Sequence, residues 1–177
     1  SVVFGFSLAC LLSPRGLFEW RPLFLCMIPL VAIGVLDDHG DISVSKRILV
    51  QILSCFVMIF HGNIYLSNLG DLIGSGNISL KGIETIVTVL SVVGVINALN
   101  LIDGIDGLCA SLCLVAFLGI IILVKHFQSP APISLILYFS SGLIAFLFVN
   151  LGVTKKFIGK IFLGDAGTTI IGFFLSW

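Results

Sequence analysis

The sequence predicts an all-α, polytopic integral membrane protein of about seven spans. Three observations carry that expectation. Hydrophobic residues make up 58% of the 177, with a mean hydropathy of +1.22. Charged residues are only 10%, where soluble domains carry about a quarter. The apolar residues also fall in runs of spanning length, separated by short polar stretches. An open sheet would leave backbone groups unpaired in lipid, and the period-two alternation of a membrane barrel is missing.

Residues 1–12 read as a truncated first span, ended by Ser13-Pro14-Arg15-Gly16. No charged leader or cleavage site precedes them, so they do not read as a signal peptide. The second span is expected over about 22–36. The third runs over about 48–66, interrupted at His61-Gly62-Asn63. The fourth, fifth and sixth are expected near 83–102, 107–125 and 131–151, and a seventh starts near Thr168. The chain begins without Met inside one apolar run and stops inside another. It is therefore read as a single transmembrane domain over 1–177, an internal fragment of a longer protein. Residues 63–82, rich in Gly, Asn and Ser, are the longest loop and suggest turns around a small hairpin.

Net charge is zero, which leaves no basic field for nucleic acid. Cys10, Cys26, Cys55, Cys109 and Cys113 all lie in apolar runs without zinc-ligand spacing, and read as small membrane residues.

Successive spans alternate direction, so the loops can be sorted by side. Asp37, Asp38, Asp41, Asp103, Asp106 and Asp165 fall on one face, and Glu19, Asp71 and Glu84 on the other. Lys46, Arg47, Lys155, Lys156 and Lys160 share the acid face, against Arg15, Arg21, Lys81 and Lys125 opposite. Five against four is a slight positive-inside bias, and places the acid face in the cytoplasm.

Asn97, Asn100 and Asp103 are spaced three apart, so they form a slanted stripe near one end of the fourth span. Gly94, one step earlier, is expected to let another backbone or a ligand approach closely. Capping explains Asp106 or Gly107, but not two amides inside a membrane helix, where polar groups usually face a polar interior. The adjacent pair Asp37-Asp38 ends the second span, with Lys46 and Arg47 as loose partners. Adjacent carboxylates repel unless a cation or proton is near. In Phe162-Leu-Gly-Asp-Ala-Gly-Thr168, Asp165 either caps the following helix or belongs to an anion site at its N-terminus. Five aspartates on one face, without compensating bases, favour a hard, oxygen-loving cation. Mg²⁺ fits best, since one or two protein oxygens suffice when phosphate and water complete its shell. Such a site at a membrane surface points to phosphoryl chemistry on a lipid.

"LDD" at 36–38, "NALNLIDGIDGL" at 97–108 and "FLGDAGT" at 162–168, in this order on alternate loops, resemble the polyprenyl-phosphate N-acetylhexosamine-1-phosphate transferases. "DISVSKR" (41–47), "IYLSNLG" (64–70) and "VNLGV" (149–153) look like the bacterial branch that loads N-acetylglucosamine 1-phosphate onto undecaprenyl phosphate. The resemblance implies attack by a membrane polyprenyl phosphate on the β-phosphorus of a UDP-N-acetylhexosamine, with UMP leaving. It implies Mg²⁺, with Mn²⁺ as a substitute. The setting is the bacterial inner membrane, the active loops are cytoplasmic, the product starts a cell-surface glycan, and a homodimer is compatible. By motif position Asp165 and Asn100 match metal-binding positions, and Asp106 one that contacts uracil. Asp37 and Asp38 match the pair that engages the lipid phosphate or acts as base, and Asp103 an acidic position near the pyrophosphate. Asn97 and Lys160 are expected at the substrate, although Lys155, Lys156 and Lys160 also suit anchoring to anionic headgroups.

A phosphate monoester has a second pKa near ~6. The lipid phosphate is then largely dianionic at neutral pH, which favours direct attack with Asp37 positioning it over a covalent aspartyl intermediate. The family's Pro/Gly-rich N-terminal loop and late His-rich loop are not in this chain, so it is expected to be inactive alone. His39, His61 and His126 do not replace the His-rich loop. Two other readings remain. An ion-coupled transporter would line its path with the Asp and Asn side chains near the bilayer midplane. A CDP-alcohol phosphotransferase would need an Arg soon after Asp-Gly, which "DGIDGLCASL" lacks.

Overall fold

The computed structural model describes residues 21–40, 42–72, 74, 76–129, 133–152 and 162–177. Six helices run through them: α1 Arg21–His39, α2 Val44–Gly62, α3 Glu84–Ile102, α4 Leu108–His126, α5 Ile133–Asn150 and α6 Gly164–Ser176. The first five are long and apolar enough to cross a membrane. At 1.5 Å per residue a 19-residue helix reaches about 28 Å, close to the thickness of the hydrocarbon core. Their outward faces stay apolar, with Ile28, Phe60, Leu101 and Val115 each more than 60% exposed. The chain is a multi-pass membrane protein, and those side chains meet lipid. The expected span over 1–12 lies outside the described residues.

Two boundaries differ from the sequence expectation. The third span ends at Gly62 and does not resume beyond it, because Asn63 turns left-handed (φ 53°). Its N–H and that of Ile64 both return to the Met58 carbonyl, satisfying an orphan acceptor. Residues 67–70 then pair with 78–80 as in the expected small hairpin, with Leu69 N–H on Ile78 O at 3.0 Å and Leu80 N–H on Ser67 O at 3.0 Å. The last helix starts at Gly164, one turn before Thr168.

The centre of the fold is α6. From Gly167 to Phe174 every residue is buried, which suits a helix apolar all round. It packs chiefly against α1 and α3, and more lightly against α4. Small residues allow these approaches. A Cβ on Gly34 would lie 2.4 Å from the Ala166 Cα, and one on Gly172 2.9 Å from the Ile96 Cα. Phe139 of α5 stacks on Phe174 of α6 at 3.8 Å between ring centroids, and Phe117 of α4 meets Phe174 edge-on at 5.6 Å. These rings fasten α4 and α5 to the core.

The ends sort as the alternation of spans requires. Gly62 lies beside the Trp177 ring and Pro22, so the start of α1 and the ends of α2 and α6 share one end. The end of α1, the start of α2, the end of α3 and the start of α6 gather at the other, where the acids are. Cys26, Cys55, Cys109 and Cys113 are free and buried in the packing, as expected of apolar fillers, and Cys10 lies outside the described residues.

Candidate active site

The first turn of α6 is the hub of the acidic end. Gly164 enters it with φ +71°, and any Cβ there would strike the Asp38 carboxylate at 2.9 Å. Asp38, from the end of α1, accepts the Asp165 N–H at 2.8 Å and more weakly the Ala166 N–H at 3.5 Å. Asp103, at the end of α3, accepts the Gly164 N–H. The helix dipole and free N–H groups that attract phosphate attract carboxylates equally. These three N–H groups are thus occupied by the protein's own acids, and the anion site expected at this N-terminus is not open at them.

Arg47, in the first turn of α2, corrects a second expectation. The acids do have a compensating base. Its Nη1 forms a close ion pair with Asp37 Oδ2 and lies 3.6 Å from Asp165 Oδ2. The Asp37 side chain is only 6% exposed, and its other oxygen accepts the Ile42 N–H at 3.1 Å. Both Asp37 oxygens are therefore engaged. The Asp165 carboxylate remains 37% exposed.

The predicted stripe on α3 divides between two neighbours. Asn97 donates to Gln51 Oε1 of α2 at 3.0 Å and to the Val93 carbonyl at 2.7 Å. Gln51 is 2% exposed, so this amide pair binds two helices inside the bundle. Asn100 and Asp103 turn instead to α6. The Asn100 Oδ1 accepts the buried Thr168 hydroxyl, for which the Gly164 and Asp165 carbonyls at 3.1 and 3.2 Å are alternative acceptors. Gly94 has nothing within 4 Å of a built Cβ, so among the described residues no other backbone makes the close approach expected there. Asp106 is exposed in the turn before α4, near enough to Asp103 to repel it. Lys155, Lys156 and Lys160 lie outside the described residues.

The charge balance is negative. Burial raises the Asp103 carboxyl to about 6, helped by repulsion from Asp165, Asp106 and Asp38 and opposed by the Gly164 N–H. Asp165 is also raised, first by burial and then by its hydrogen bond to and repulsion from Asp37, against the pull of Arg47. Surplus carboxylates held up in this way are what a divalent cation would relieve. Among the described residues no three His, Cys, Asp or Glu gather to cage an ion alone. That donor set still fits Mg²⁺, which needs one or two carboxylates when phosphate supplies the rest.

Gln51 is the residue that sequence reasoning did not place at the site, while Arg47 and Thr168 figure in the sequence only as a loose partner of Asp37 and as the last position of the 162–168 motif. Gln51 carried a readable signal, an amide in the middle of an apolar run. Arg47 is ten residues from Asp37, and only the turn between α1 and α2 brings them together.

The model of glycosyl transferase family 4 matches residues 20–177. Among curated proteins, the chain is 42% identical over 174 residues to the undecaprenyl-phosphate alpha-N-acetylglucosaminyl 1-phosphate transferase of Pasteurella multocida, covering 91% of this chain and 47% of that protein. It is 40% identical to the Haemophilus influenzae protein of that name, with the same coverages. The Yersinia pestis protein of that name is 37% identical and covers 100% of this chain and 48% of its own length. The chain spans about half the length of the curated relatives it matches.

Proposed function

The chain belongs to glycosyl transferase family 4, and from that premise we propose that the protein transfers N-acetylglucosamine 1-phosphate from UDP-N-acetylglucosamine to undecaprenyl phosphate, releasing UMP. The names of the relatives support the substrates. One structural observation carries the reading: α1, α2 and α3 bring Asp38, Asp37, Arg47, Asn100 and Asp103 onto the first turn of α6, at one end of the spans. A site at span ends is where a lipid phosphate and a soluble nucleotide can meet. An ion-coupled transporter would need its acids near the midplane, and Asn97, the deepest member of the stripe, is already tied to Gln51.

In this reading Asp165 and Asn100 would hold Mg²⁺ or Mn²⁺, Asp165 offering its exposed carboxylate and Asn100 its Oδ1. Such an ion would supply charge neutralisation on the donor pyrophosphate. Asp103 stands beside that pyrophosphate, and its carboxyl, raised to about 6, is largely ionised at neutral pH and would need the cation to offset its repulsion. Asp106 reaches the uracil from its exposed turn. Asp38 shapes the loop through its two backbone contacts. Asp37, with both oxygens engaged, suits orienting the nucleophile better than forming a bond to phosphorus. The lipid phosphate, dianionic near neutral pH because its second pKa is ~6, attacks the β-phosphorus. The bond from that phosphorus to the bridging oxygen breaks, and the oxygen leaves on UMP. The acid-bearing end faces the cytoplasm of a bacterial inner membrane, following the lysine and arginine bias.

The test is UMP release from membranes holding the whole protein, with UDP-N-acetylglucosamine, undecaprenyl phosphate and Mg²⁺ added. Release should need all three and vanish in Asp165→Asn. UDP-N-acetylgalactosamine in the donor's place tests the sugar. No UMP under any of these conditions would overturn the reading.

A further inference from the structure

We propose that Arg47 is a positioning residue that competes with the divalent cation for Asp165, holding the substrate-free site in a self-neutralised state. The inference rests on the metal reading of Asp165 given above. Its basis is an unequal three-way contact. Arg47 Nη1 is tight against Asp37 Oδ2 but 3.6 Å from Asp165 Oδ2, outside hydrogen-bond range and inside ion-pair range. One guanidinium nitrogen thus serves two carboxylates from different helices, α1 and α6. The stronger arm is anchored: Asp37 is almost fully covered and fixed at its other oxygen by the Ile42 N–H. The weaker arm points at the more open carboxylate.

A divalent ion and a guanidinium repel across a few ångströms, and both draw on the same Asp165 oxygens. When the ion arrives, the 3.6 Å arm gives way while Asp37 keeps Arg47 in place. Two consequences follow. The free protein binds the cation weakly, because the incoming charge must displace a resident one. The nucleotide pyrophosphate, by adding oxygens that the protein withholds, raises cation affinity, so metal and donor load together. Asp37 then has a role apart from any contact with the lipid phosphate: it tethers Arg47 and limits its hold on Asp165.

The test is a titration of the whole protein in detergent with Mn²⁺ alone, without nucleotide or lipid substrate, reading free Mn²⁺ by electron paramagnetic resonance. Arg47→Gln should bind Mn²⁺ about five- to tenfold more tightly than wild type, the size expected for losing one partly screened charge near the ion. Asp37→Asn should bind more weakly than wild type, as the released Arg47 moves onto Asp165. The double variant Asp37→Asn/Arg47→Gln should bind more tightly than Asp37→Asn alone. That last pair carries the test even where Arg47→Gln fails to fold, since neither member strands the covered Asp37 carboxylate. Unchanged or weaker binding in Arg47→Gln, or no gain in the double variant over Asp37→Asn, overturns the competition. If Asp165→Asn binds Mn²⁺ like wild type, the metal assignment itself is wrong. If Asp165→Asn abolishes binding while Arg47→Gln changes nothing, only the arginine's role falls.

Discussion

The Asp38 carboxylate accepts the Asp165 backbone N–H at 2.8 Å, so the last turn of α1 caps the first turn of α6 from 127 residues away. A cap of this kind stabilises by about 1 kcal/mol. Asp38→Ala should lower thermal stability in detergent by about that amount and cut UMP release, because the loop bearing Asp165 loses its anchor. Asp38→Asn keeps an acceptor oxygen and should retain most of the stability. Equal losses of Tm in the two variants would rule out the capping role.

Close approach of α1 and α6 depends on a missing side chain. Gly34→Ala would place a Cβ 2.4 Å from the Ala166 backbone, which neither helix can absorb without moving. Overpacking of this sort costs about 1–3 kcal/mol. The shift would also pull Asp37 and Asp38 from their partners, and turnover should fall at least about tenfold, the equivalent of 1.4 kcal/mol in the barrier. Gly94→Ala is the control. Nothing lies within 4 Å of its Cβ, and a helical glycine replaced by alanine gains up to about 1 kcal/mol. Matching Tm and activity for the two variants would contradict the packing described.

Asn97 belongs to the stripe by helical phase but to α2 by contact, through Gln51. Asn97→Leu or Gln51→Leu leaves a buried amide half-satisfied and should each cost about 1–3 kcal/mol. The double leucine variant strands neither group and should recover much of that loss. In all three the KM for UDP-N-acetylglucosamine should stay close to wild type, since Asn97 faces the bundle. A large rise in KM in Asn97→Leu, with Tm unchanged, would return Asn97 to the substrate.

These cases show what the sequence could carry. Apolar run length and alternating direction were enough for five spans and for the end that holds the acids, because each depends on local composition. The "DGIDG" and "GDAG" segments were legible as acid clusters at one end because they interrupt apolar runs on the same face. The partners of those groups were not legible. Which neighbour an α3 side chain meets depends on the phase of α2 and α6 around it, and no spacing within α3 encodes that. Arg47 was counted as a loose basic residue because its ion pairs join three helices. The N–H groups of α6 looked free for phosphate because the carboxylates that occupy them come from α1 and α3.

Asp103 supplies a dependence on pH. Its carboxyl is raised to about 6 in the folded protein, mainly by burial, against about 3.9 for an unperturbed aspartate. Between these values the folded chain binds more protons than the unfolded one, so stability falls as pH rises. The contribution is fully present below about pH 4 and is lost on passing through the folded value near 6. The side chain is only half-buried, solvent screens it, and the effect should stay below about 1 kcal/mol. Asp103→Asn keeps an acceptor for the Gly164 N–H but cannot ionise. With a chelator present, its Tm should match wild type near pH 4 and exceed it by pH 7. Added Mg²⁺ at pH 7 should narrow the gap, because a cation relieves the wild-type carboxylates and has less to relieve in the variant. Melting curves across this range decide the matter. A gap that is constant with pH, or that favours wild type at pH 7, would mean that the Asp103 charge is already compensated in the folded site.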